Sequence, residues 1–395
     1  MLKTTPFHAR TAPLVLGQTW RRWAGFSVAS SYDWLHDREY AAIRNAAALL
    51  DVSPLYKYRI TGQDAARLLD RMVTRNVAKV KPGSVMYTTW CDAHGKVIDD
   101  GTVSRLSEDV YRLTSADPSF RWLHMNAVGL QVNIEDVSEQ LGALALQGPL
   151  SRAVLAAVCE KPVADLKYFR VMANRIGGVD IEISRTGYTG DLGYEIWVPA
   201  SGAVQVWDAL MAAGVAYGLQ PAGIWALDVA RIEAGLVMAD VDYHSSHRAV
   251  IESQKSTPYE LGLDWTVSLD KEAFNGKRAL AAEKARGSAY RFVGIEVEWD
   301  SFEALYQAVG LSPSLPAQAW RASIPIYRSG KQIGYASSGC WSPLLKKYLA
   351  MAHIQAPNFA PDTPVEIEVT VEHQRKRANA WVRKLPFFDP ERKKT

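Results

Sequence analysis

Two adjacent carboxylates, Asp99 and Asp100, are the residues whose types and spacing most directly suggest chemistry. They lie in the segment VIDDGTVSRL, which follows the strand-like VMYTTW and the turn DAHGK, so the sequence predicts a β-hairpin from Gly83 to Arg105. Because neighbouring side chains on a strand point to opposite faces, only one of the two carboxylates can face a given cleft. The other is expected to be solvated or to cap a turn.

A second segment with chemical potential is the glycine-rich stretch RTGYTGDLGYEIWVP, residues 185–199. Gly187, Gly190 and Gly193 leave the backbone free to adopt positive φ and to approach a ligand closely, and a strand follows at once. A plain glycine-rich turn is the alternative. The pattern differs from GxGxxG opening a helix after a strand, so it predicts neither a dinucleotide site nor a phosphate cradle.

The charge and cysteine content exclude several classes of function. The 45 basic and 42 acidic residues are mixed along the chain and leave a net charge of +3, so the sequence offers no basic stripe for nucleic acid. Cys91, Cys159 and Cys340 lie far apart, which indicates reduced thiols rather than disulfides or a metal site. No apolar run reaches the roughly 20 residues of a membrane helix, and MLKTTPFHAR lacks the core of a signal peptide, so we expect a cytoplasmic protein without a membrane partner.

The helical and strand patterns predict an α+β chain with two domains, because 395 residues are too many for one ordinary core. Helical spacing is predicted over 36–50, and strands and helices alternate from there to about residue 285. Strands then follow one another, broken by Pro and Gly clusters. We therefore predict a first region over 1–285, which could comprise two subdomains, a β-barrel domain over 286–388, and a solvated basic tail over 389–395.

The order and spacing of several motifs resemble a known family. The chain carries LLDVS at 49–53, GKVIDD at 95–100, RTGYTGDLGYEI at 185–196, ALDVARIEAGL at 226–236 and IGYASSGCWSPLLKKYLAM at 333–351. In this order they resemble the aminomethyltransferase, or glycine cleavage T-protein, family and its folate-dependent demethylase relatives, over almost the whole chain. The resemblance implies a split folate-binding region and a C-terminal β-barrel, arranged as a ring around a central tetrahydrofolate channel.

The resemblance also implies roles for residues that match family motifs. It places Asp100 beside the folate nitrogens that receive the carbon unit, where a carboxylate can orient the nitrogen lone pair and stabilise developing positive charge. It places Glu195 on the pterin, whose amino-pyrimidinone edge can donate two hydrogen bonds to a carboxylate. Tyr188, the main chain at Leu113 and Trp265 would complete the folate site, with a buried structural role as the alternative for Trp265. Tetrahydrofolate as co-substrate is the only cofactor implied, since metal-ligand spacing and flavin motifs are missing.

Several positions depart from the pattern of glycine cleavage T-proteins. Those proteins read DVSHM and GARDxLRLEAG where this chain reads DVSPL and WALDVARIEAG. Pro54 and Leu55 therefore replace a histidine and a methionine near the substrate, and Leu227 replaces an arginine. The DVSPLYKY form resembles instead the demethylase branch, which moves a methyl group from oxygen, sulfur or nitrogen to tetrahydrofolate and releases 5-methyltetrahydrofolate.

The donor predicted from this resemblance is an aryl methyl ether, such as a methoxybenzoate-like compound. Trp20, Tyr32 and Trp90, together with Leu55, would form a flat apolar slot for an aromatic ring if their side chains face the channel. Packing in the core is the alternative for each of the aromatic residues.

Ether cleavage also requires a proton or a positive group at the phenolate that leaves. The segment DVDYHSSHRAV supplies His244 and His247 as candidate proton donors. Arg248, like Arg21 or Arg22, could hold a substrate carboxylate through a bidentate fork. For each of these side chains, a place on an exposed surface is the alternative.

Three other functions remain open. A T-protein-like aminomethyltransferase would accept an aminomethyl group from a lipoylated carrier protein and release ammonia, although Pro54 and Leu227 argue against it. A demethylase of an S-methyl or N-methyl aliphatic donor needs only a small-molecule partner and also agrees with the motifs. A non-catalytic folate-binding relative is least favoured, because the KGCYxGQE motif of such proteins has no counterpart in RIEAGLVMADVDY.

Overall fold

The structure, a computed structural model, describes residues 2–395. None of the helices in this range combines the length and apolar character that crossing a bilayer requires. The helices are α1 (His8–Thr11), α2 (Asp37–Asn45), α3 (Ala65–Met72), α4 (Phe120–Asn126), α5 (Ser151–Val158), α6 (Ala203–Gly214), α7 (Ile224–Glu233), α8 (Lys277–Arg286) and α9 (Trp299–Gln307).

The strands of the first region are β1 (Lys3–Thr4), β2 (Trp20–Trp23), β3 (Phe26–Ala29), β4 (Ala47–Asp51), β5 (Tyr56–Thr61), β6 (Ser84–Cys91), β7 (Val97–Ser107), β8 (Val110–Ser115), β9 (Asn133–Asp136), β10 (Leu141–Gln147), β11 (Val171–Ile176), β12 (Val179–Ser184), β13 (Gly193–Pro199) and β14 (Leu219–Pro221). Those of the second are β15 (Tyr290–Val297), β16 (Ile324–Arg328), β17 (Lys331–Ser342), β18 (Lys347–Gln355), β19 (Pro364–Val371) and β20 (Gln374–Arg383).

These strands form three open sheets and one closed barrel. The open sheets have the strand orders β1-β3-β2, β11-β12-β13-β10-β4-β14 and β6-β7-β8-β5-β9. The barrel closes in the order β15-β18-β17-β16-β19-β20, with its own apolar core. The predicted α+β fold with a C-terminal β-barrel is confirmed.

Helix α2 is shorter than the sequence predicts. Helical spacing suggested a helix over 36–50, but α2 ends at Asn45 and Ala47–Asp51 forms β4. This strand lies inside the six-stranded sheet, antiparallel to β10 and parallel to β14. Residues 47–50 are all buried, which suits a continuous apolar run covered on both faces. Burial in the sheet therefore outweighs the helical propensity of alanine and leucine here.

Buried carboxylates hold the barrel against the first region. Asp242 accepts hydrogen bonds from Ser337 at 2.6 Å and from Ser338 at 2.8 Å, both on β17. Asp228 on α7 accepts two hydrogen bonds from Arg321, the shorter at 2.6 Å. Because both carboxylates are buried, water screens these contacts little, and they fix the barrel relative to α7.

A second buried junction centres on Glu233 at the end of α7. Its carboxylate accepts hydrogen bonds from Arg44 on α2 at 2.6 and 2.9 Å, and from the hydroxyls of Tyr40 and Ser342. Arg44 also donates to the carbonyl of Thr189 at 2.9 Å. Since Ser342 belongs to β17, this junction joins α2, α7 and the barrel.

The C-terminal segment packs against the first region. The sequence predicts a solvated tail over 389–395; most of its residues are exposed, and Arg392 anchors the tail to the first region. Arg392 forms hydrogen bonds of 2.7 and 2.8 Å with the buried carboxylate of Asp191, and residues 391–393 form a short 3-10 helix. A buried carboxylate needs such a partner, which a charge run considered in isolation does not disclose.

Candidate active site

A cavity of about 2090 Å³ lies where the two larger open sheets meet the barrel. Its wall includes residues of β6, β7 and β8 on one side, β10 and β13 on another, the loop over 234–241, and the first barrel strand β15. A site for one small molecule usually has about 300–1,000 Å³. The cavity therefore has room for two small substrates side by side.

Asp100 is the carboxylate of β7 that faces this cavity, whereas strand alternation turns Asp99 into the interior. Tyr87 on the neighbouring strand β6 donates a hydrogen bond of 2.8 Å to one Asp100 oxygen, and Tyr243 donates to the other. Burial raises the pKa of Asp100, whereas the two phenols lower it because they stabilise the ionised form. The site thus holds a carboxylate in one orientation at the cavity wall.

Asp99 supports Asp100 from behind. Its carboxyl group accepts hydrogen bonds from the backbone N–H groups of Asp100 and Asp117, each at 2.8 Å, and lies 3.1 Å from the Tyr243 hydroxyl oxygen. Burial raises the pKa of Asp99 well above its ordinary value, and the charge of Asp100 acts in the same direction. Tyr243 contacts both side chains, and Asp100 is the one of the two that can stabilise positive charge in the cavity.

Trp265 lies in the cavity wall and is 57% exposed, so the alternative of a buried structural role is wrong. Its ring stacks on Tyr87 with the ring centroids 5.6 Å apart, and the Arg75 guanidinium lies 5.4 Å from the Trp265 centroid. Tyr87 therefore contacts both Asp100 and Trp265. A flat ligand ring could stack on this surface while it also reaches the carboxylate.

Glu195 on β13 is the second carboxylate of the cavity wall. Thr186 donates a hydrogen bond to it through its hydroxyl. Burial raises the pKa of Glu195, while the Thr186 hydrogen bond and the nearby Arg112 guanidinium lower it. Arg112 itself lies 4.1 Å from the centroid of the Trp197 ring and pairs with Glu182. A carboxylate in this position suits a ligand edge that presents hydrogen-bond donors.

The glycine-rich segment makes room for Gln147, which lines the cavity. A Cβ atom on Gly187 or Gly193 would lie 2.1 or 2.2 Å from the Gln147 amide oxygen, so a side chain at either position would displace this amide. Thr189 donates a hydrogen bond of 2.8 Å to the same oxygen. These glycines therefore allow the backbone to approach the side-chain amide of Gln147, which shapes the cavity wall.

The structure separates the other two residues predicted for the folate site. Tyr188 lines the cavity, and its hydroxyl donates a hydrogen bond to the carbonyl of Val237. Leu113 lies on β8 with its side chain in the apolar core, and the residues of β8 that line the cavity are Thr114 and Ser115. The role of Leu113 in binding folate stays a prediction.

The three aromatic residues predicted to form a donor slot lie outside the cavity. Trp90 is fully buried in the core of the five-stranded sheet. Trp20 and Tyr32 pack in a small separate cluster beside β3. Trp90 and Tyr87 are three residues apart on β6, so they point to opposite faces of the strand. The prediction of an aromatic slot is therefore wrong, because these rings are used for packing.

Leu55 and Arg248 line the cavity, as predicted for residues near the donor. Arg248 forms ion pairs with Asp117 at 2.6 Å and with Asp240 at 2.7 Å. Two carboxylates therefore already neutralise this guanidinium, which leaves it little capacity to hold a further anion.

The two histidines predicted as proton donors lie at the surface, outside the cavity. His244 is about half exposed and lies 4.0 Å from the carboxylate of Asp240. His247 packs edge-on against Trp122 with ring centroids 5.0 Å apart, and burial lowers the pKa of His247. The residue of this segment that reaches Asp100 is Tyr243, so the segment supplies a phenol to the site in place of an imidazole.

Sequence reasoning missed the two tyrosines that bind Asp100. Tyr87 could have been found from the predicted hairpin, because Thr89 pairs with Asp100 and Tyr87 is its diagonal neighbour on the same face. Tyr243 lies 143 positions from Asp100, and no local pattern connects the two. The contact of Tyr243 with Asp100 depends on the path of the chain after α7, which brings this tyrosine next to β7.

A carboxylate held by two phenols on the wall of a cavity with room for two ligands is typical of an enzyme that acts on small molecules. Comparison with known proteins identifies its family. Residues 7–271 match the GCVT N-terminal domain, and residues 307–389 match the glycine cleavage T-protein C-terminal barrel domain. The chain therefore belongs to the glycine cleavage T-protein, or aminomethyltransferase, family. The predicted one-carbon transferase class is confirmed, whereas the demethylase branch stays a prediction.

Individual relatives agree with this family. An aminomethyltransferase from Halalkalibacterium halodurans is 34% identical over 89% of this chain and 89% of its own length. A trimethylamine-oxide aldolase from Ruegeria pomeroyi is 34% identical over 99% of this chain, which spans 48% of that longer protein. The crystal structure of the glycine cleavage system aminomethyltransferase T from Bartonella henselae covers 98% of this chain and 99% of its own, with a TM-score of 0.83 and 24% identity, and it establishes the likeness of fold.

Proposed function

We propose that this chain transfers a one-carbon unit from an amine-type donor to tetrahydrofolate. The observation that carries the proposal is the Asp100 site, a carboxylate held by two phenols on the wall of a cavity with room for two substrates. Membership of the aminomethyltransferase family supports the class of reaction. The nature of the donor is argued from the groups that surround Asp100.

The acceptor side of the cavity suits a pterin. Tetrahydrofolate would supply the nucleophilic nitrogen that receives the carbon unit. Glu195 would accept hydrogen bonds from an amino-pyrimidinone edge, and the exposed face of Trp265 offers a stacking surface. Asp100 would orient the acceptor nitrogen and stabilise the positive charge that develops there as the new bond to carbon forms.

The donor side favours a molecule that carries positive charge over an aryl ether. Asp100, whose carboxylate Tyr87 and Tyr243 hold at the cavity wall, can stabilise a cation such as an ammonium group. A phenolate leaving group would instead need a proton donor or a cation beside it. His244 and His247 lie at the surface, away from the cavity, and cannot supply that proton from where they stand.

Two kinds of donor satisfy this requirement. An aminomethyl group on a lipoylated carrier protein, the donor of a glycine cleavage-type reaction, would make that carrier a partner and would release ammonia. A small N-methylated amine would need no carrier. The trimethylamine-oxide aldolase among the relatives supports an amine-type donor in general. The two kinds differ in product, since the first yields 5,10-methylenetetrahydrofolate and direct methyl transfer yields 5-methyltetrahydrofolate.

The proposal is tested by incubating the purified protein with tetrahydrofolate and one donor at a time. The donors are an aminomethylated lipoyl carrier protein, N-methylglycine and 4-methoxybenzoate, and chromatography follows the two folate products. We expect product from a nitrogen-bearing donor. Asp100→Asn should lower its rate about 100-fold or more, because it removes the negative charge that stabilises the transition state.

The matched control is Asp208→Asn, which removes an exposed carboxylate paired with Arg10, away from the cavity. It should leave the rate unchanged. Product from 4-methoxybenzoate alone would replace the proposal with aryl ether demethylation. Absence of product with every donor, or an Asp100→Asn protein as active as the wild type, would contradict the proposed chemistry.

A further inference from the structure

Two arginines of the cavity wall converge on one buried carboxylate. Arg321 donates hydrogen bonds of 2.9 Å through Nε and 2.6 Å through Nη2 to a single oxygen of Asp228. Nη1 of Arg21, on β2, lies 3.8 Å from the same oxygen. The other Asp228 oxygen lies 3.4 Å from Nε of Arg231, which is fully buried. Both Arg21 and Arg321 line the cavity.

The carboxylates of this cluster do not neutralise its arginines. Arg231 also pairs with Asp242, so three guanidinium groups share two carboxylates and one positive charge is in excess. The excess falls on Arg21, whose side chain donates no hydrogen bond to another side chain or carbonyl within residues 2–395. Burial and the neighbouring Arg321 lower the pKa of Arg21 and outweigh Asp228, which raises it from 3.8 Å away.

Arg321 is held in position before any ligand arrives. The backbone of the preceding residue, Trp320, forms two hydrogen bonds with Gly339, of 2.8 and 3.1 Å. A Cβ atom on Gly339 would lie 2.3 Å from the Trp320 ring, so the glycine allows the indole to lie flat on β17. The indole N–H donates to the Tyr348 hydroxyl at 3.0 Å. These contacts fix the backbone beside Arg321, and the hydrogen bonds to Asp228 hold its side chain, so Arg321 loses little conformational freedom on binding.

The surroundings of the two arginines are partly apolar. Trp23, Ile224 and Leu227 line the same part of the cavity, and Ile224 and Leu227 are buried. Charge interactions are stronger where water is partly excluded. The planar guanidinium group matches a carboxylate with two parallel hydrogen bonds. An anionic group that enters the cavity therefore finds both a counter-charge and a matching donor geometry here.

We propose that Arg21 and Arg321 bind the carboxylate of a small molecule that occupies the cavity. The proposal deepens the proposed function and rests on it, since it concerns one of the two substrates. That carboxylate could belong to the donor, as in an N-methylated amino acid, or to the glutamate tail of folate. A donor with both an amine and a carboxylate would find a counter-charge for each, at Asp100 and at the arginine pair.

The test measures binding affinities by calorimetry with two pairs of probes. Within each pair, one probe carries a carboxylate and the other does not. The donor pair is N-methylglycine and N-methylglycinamide, and the folate pair is tetrahydrofolate and 6-methyltetrahydropterin, which lacks the tail. Arg21→Gln should weaken binding of one carboxylate probe about 10- to 100-fold, because it removes a charge-assisted contact. The partner probe without the carboxylate should bind as before, and the affected pair identifies the source of the carboxylate.

Arg38→Gln is the matched control, because Arg38 is highly exposed and lies outside the cavity. Arg21→Lys should bind the affected probe with intermediate affinity, since it keeps the charge and loses the fork. Unchanged binding of both carboxylate probes by Arg21→Gln would overturn the proposal, as would an equal loss for both members of a pair. Asp100→Asn should change the affinity for both members of a pair by the same factor and leave the ratio between them, which measures the carboxylate contact, as in the wild type. A failure of the proposed chemistry and a failure of this site therefore give different results.

Discussion

At the scale of single residues, the ionised form of Asp100 depends on its two phenols. Each phenol donates to the carboxylate and lowers its pKa, against the effect of burial. Tyr87→Phe removes one of these donors, so the pKa of Asp100 should rise. A reaction that needs the ionised carboxylate should then lose activity at a higher pH, with the acid limb of the rate profile moved up by about one pH unit.

The control for this prediction is Tyr111→Phe. Tyr111 is also buried on the five-stranded sheet, but its hydroxyl has no hydrogen-bond partner within residues 2–395. Its loss should leave the acid limb in place. An acid limb that stays unchanged in Tyr87→Phe would mean that Asp100 is not the group whose ionisation controls the rate.

At the scale of elements, one buried lysine shapes the segment between β4 and β5. The Lys57 ammonium donates hydrogen bonds to the carbonyls of Ser53 at 2.7 Å, Leu55 at 2.8 Å and Ser138 at 3.2 Å. Burial lowers the pKa of Lys57 from 10.5 to about 7. Leu55 lines the cavity, so this lysine positions part of the cavity wall from behind.

Lys57→Met should lower the free energy of unfolding by about 2 kcal/mol near pH 8, because the buried carbonyls around the amino group lose their hydrogen-bond donor. The sign of the pH effect follows from the lowered pKa. Between pH 7 and 10.5 the unfolded chain binds a proton at Lys57 that the folded chain does not, so the stability of the wild type rises with pH in this window. The variant lacks this rise.

Urea denaturation at about pH 7 and about pH 9.5 tests this expectation. The difference in stability between wild type and Lys57→Met should widen at the higher pH. Lys331→Met, at an exposed position at the start of β17, serves as the control and should show a constant difference. A difference that narrows as the pH rises would contradict the expected proton linkage.

Local pattern was enough to predict much of the fold and part of the site. The β6–β7 hairpin and the opposite orientation of Asp99 and Asp100 follow from strand periodicity, and motif order was enough for the family. Strand β4 was missed because an alanine- and leucine-rich run is ambiguous until its neighbours in the sheet are known. Tyr243 and Arg321 were missed because they reach the cavity from distant parts of the chain, through contacts that no local spacing encodes.

At the scale of the whole molecule, the Glu233 junction links the first region to the barrel. Glu233→Gln removes the charge that compensates Arg44, and the nearest other carboxylate, Asp191, lies 3.5 Å away. We expect the free energy of unfolding to fall by about 3 kcal/mol, since the buried Arg44 would keep only the longer ion pair with Asp191, which Arg392 shares. Equilibrium denaturation in urea measures the change.

Glu366→Gln provides a comparison at the barrel surface. Glu366 pairs with Arg377 at 3.5 Å, and both side chains are more than a third exposed. Its loss should cost less than about 1 kcal/mol, because solvent screens the pair. If the two variants lost equal stability, the special role of the buried junction would have to be abandoned.

The last part of the described chain determines when, during synthesis, the wall of the cavity is complete. Residues of the segment 384–394 line the cavity, the backbone N–H of Phe388 donates to the carbonyl of Glu233 at 2.8 Å, and Arg392 pairs with Asp191. A ribosome makes this segment after every other part of the cavity wall. The wall of the pocket is therefore completed only after this segment has left the exit tunnel, later than the strands of the three sheets and the barrel have been made.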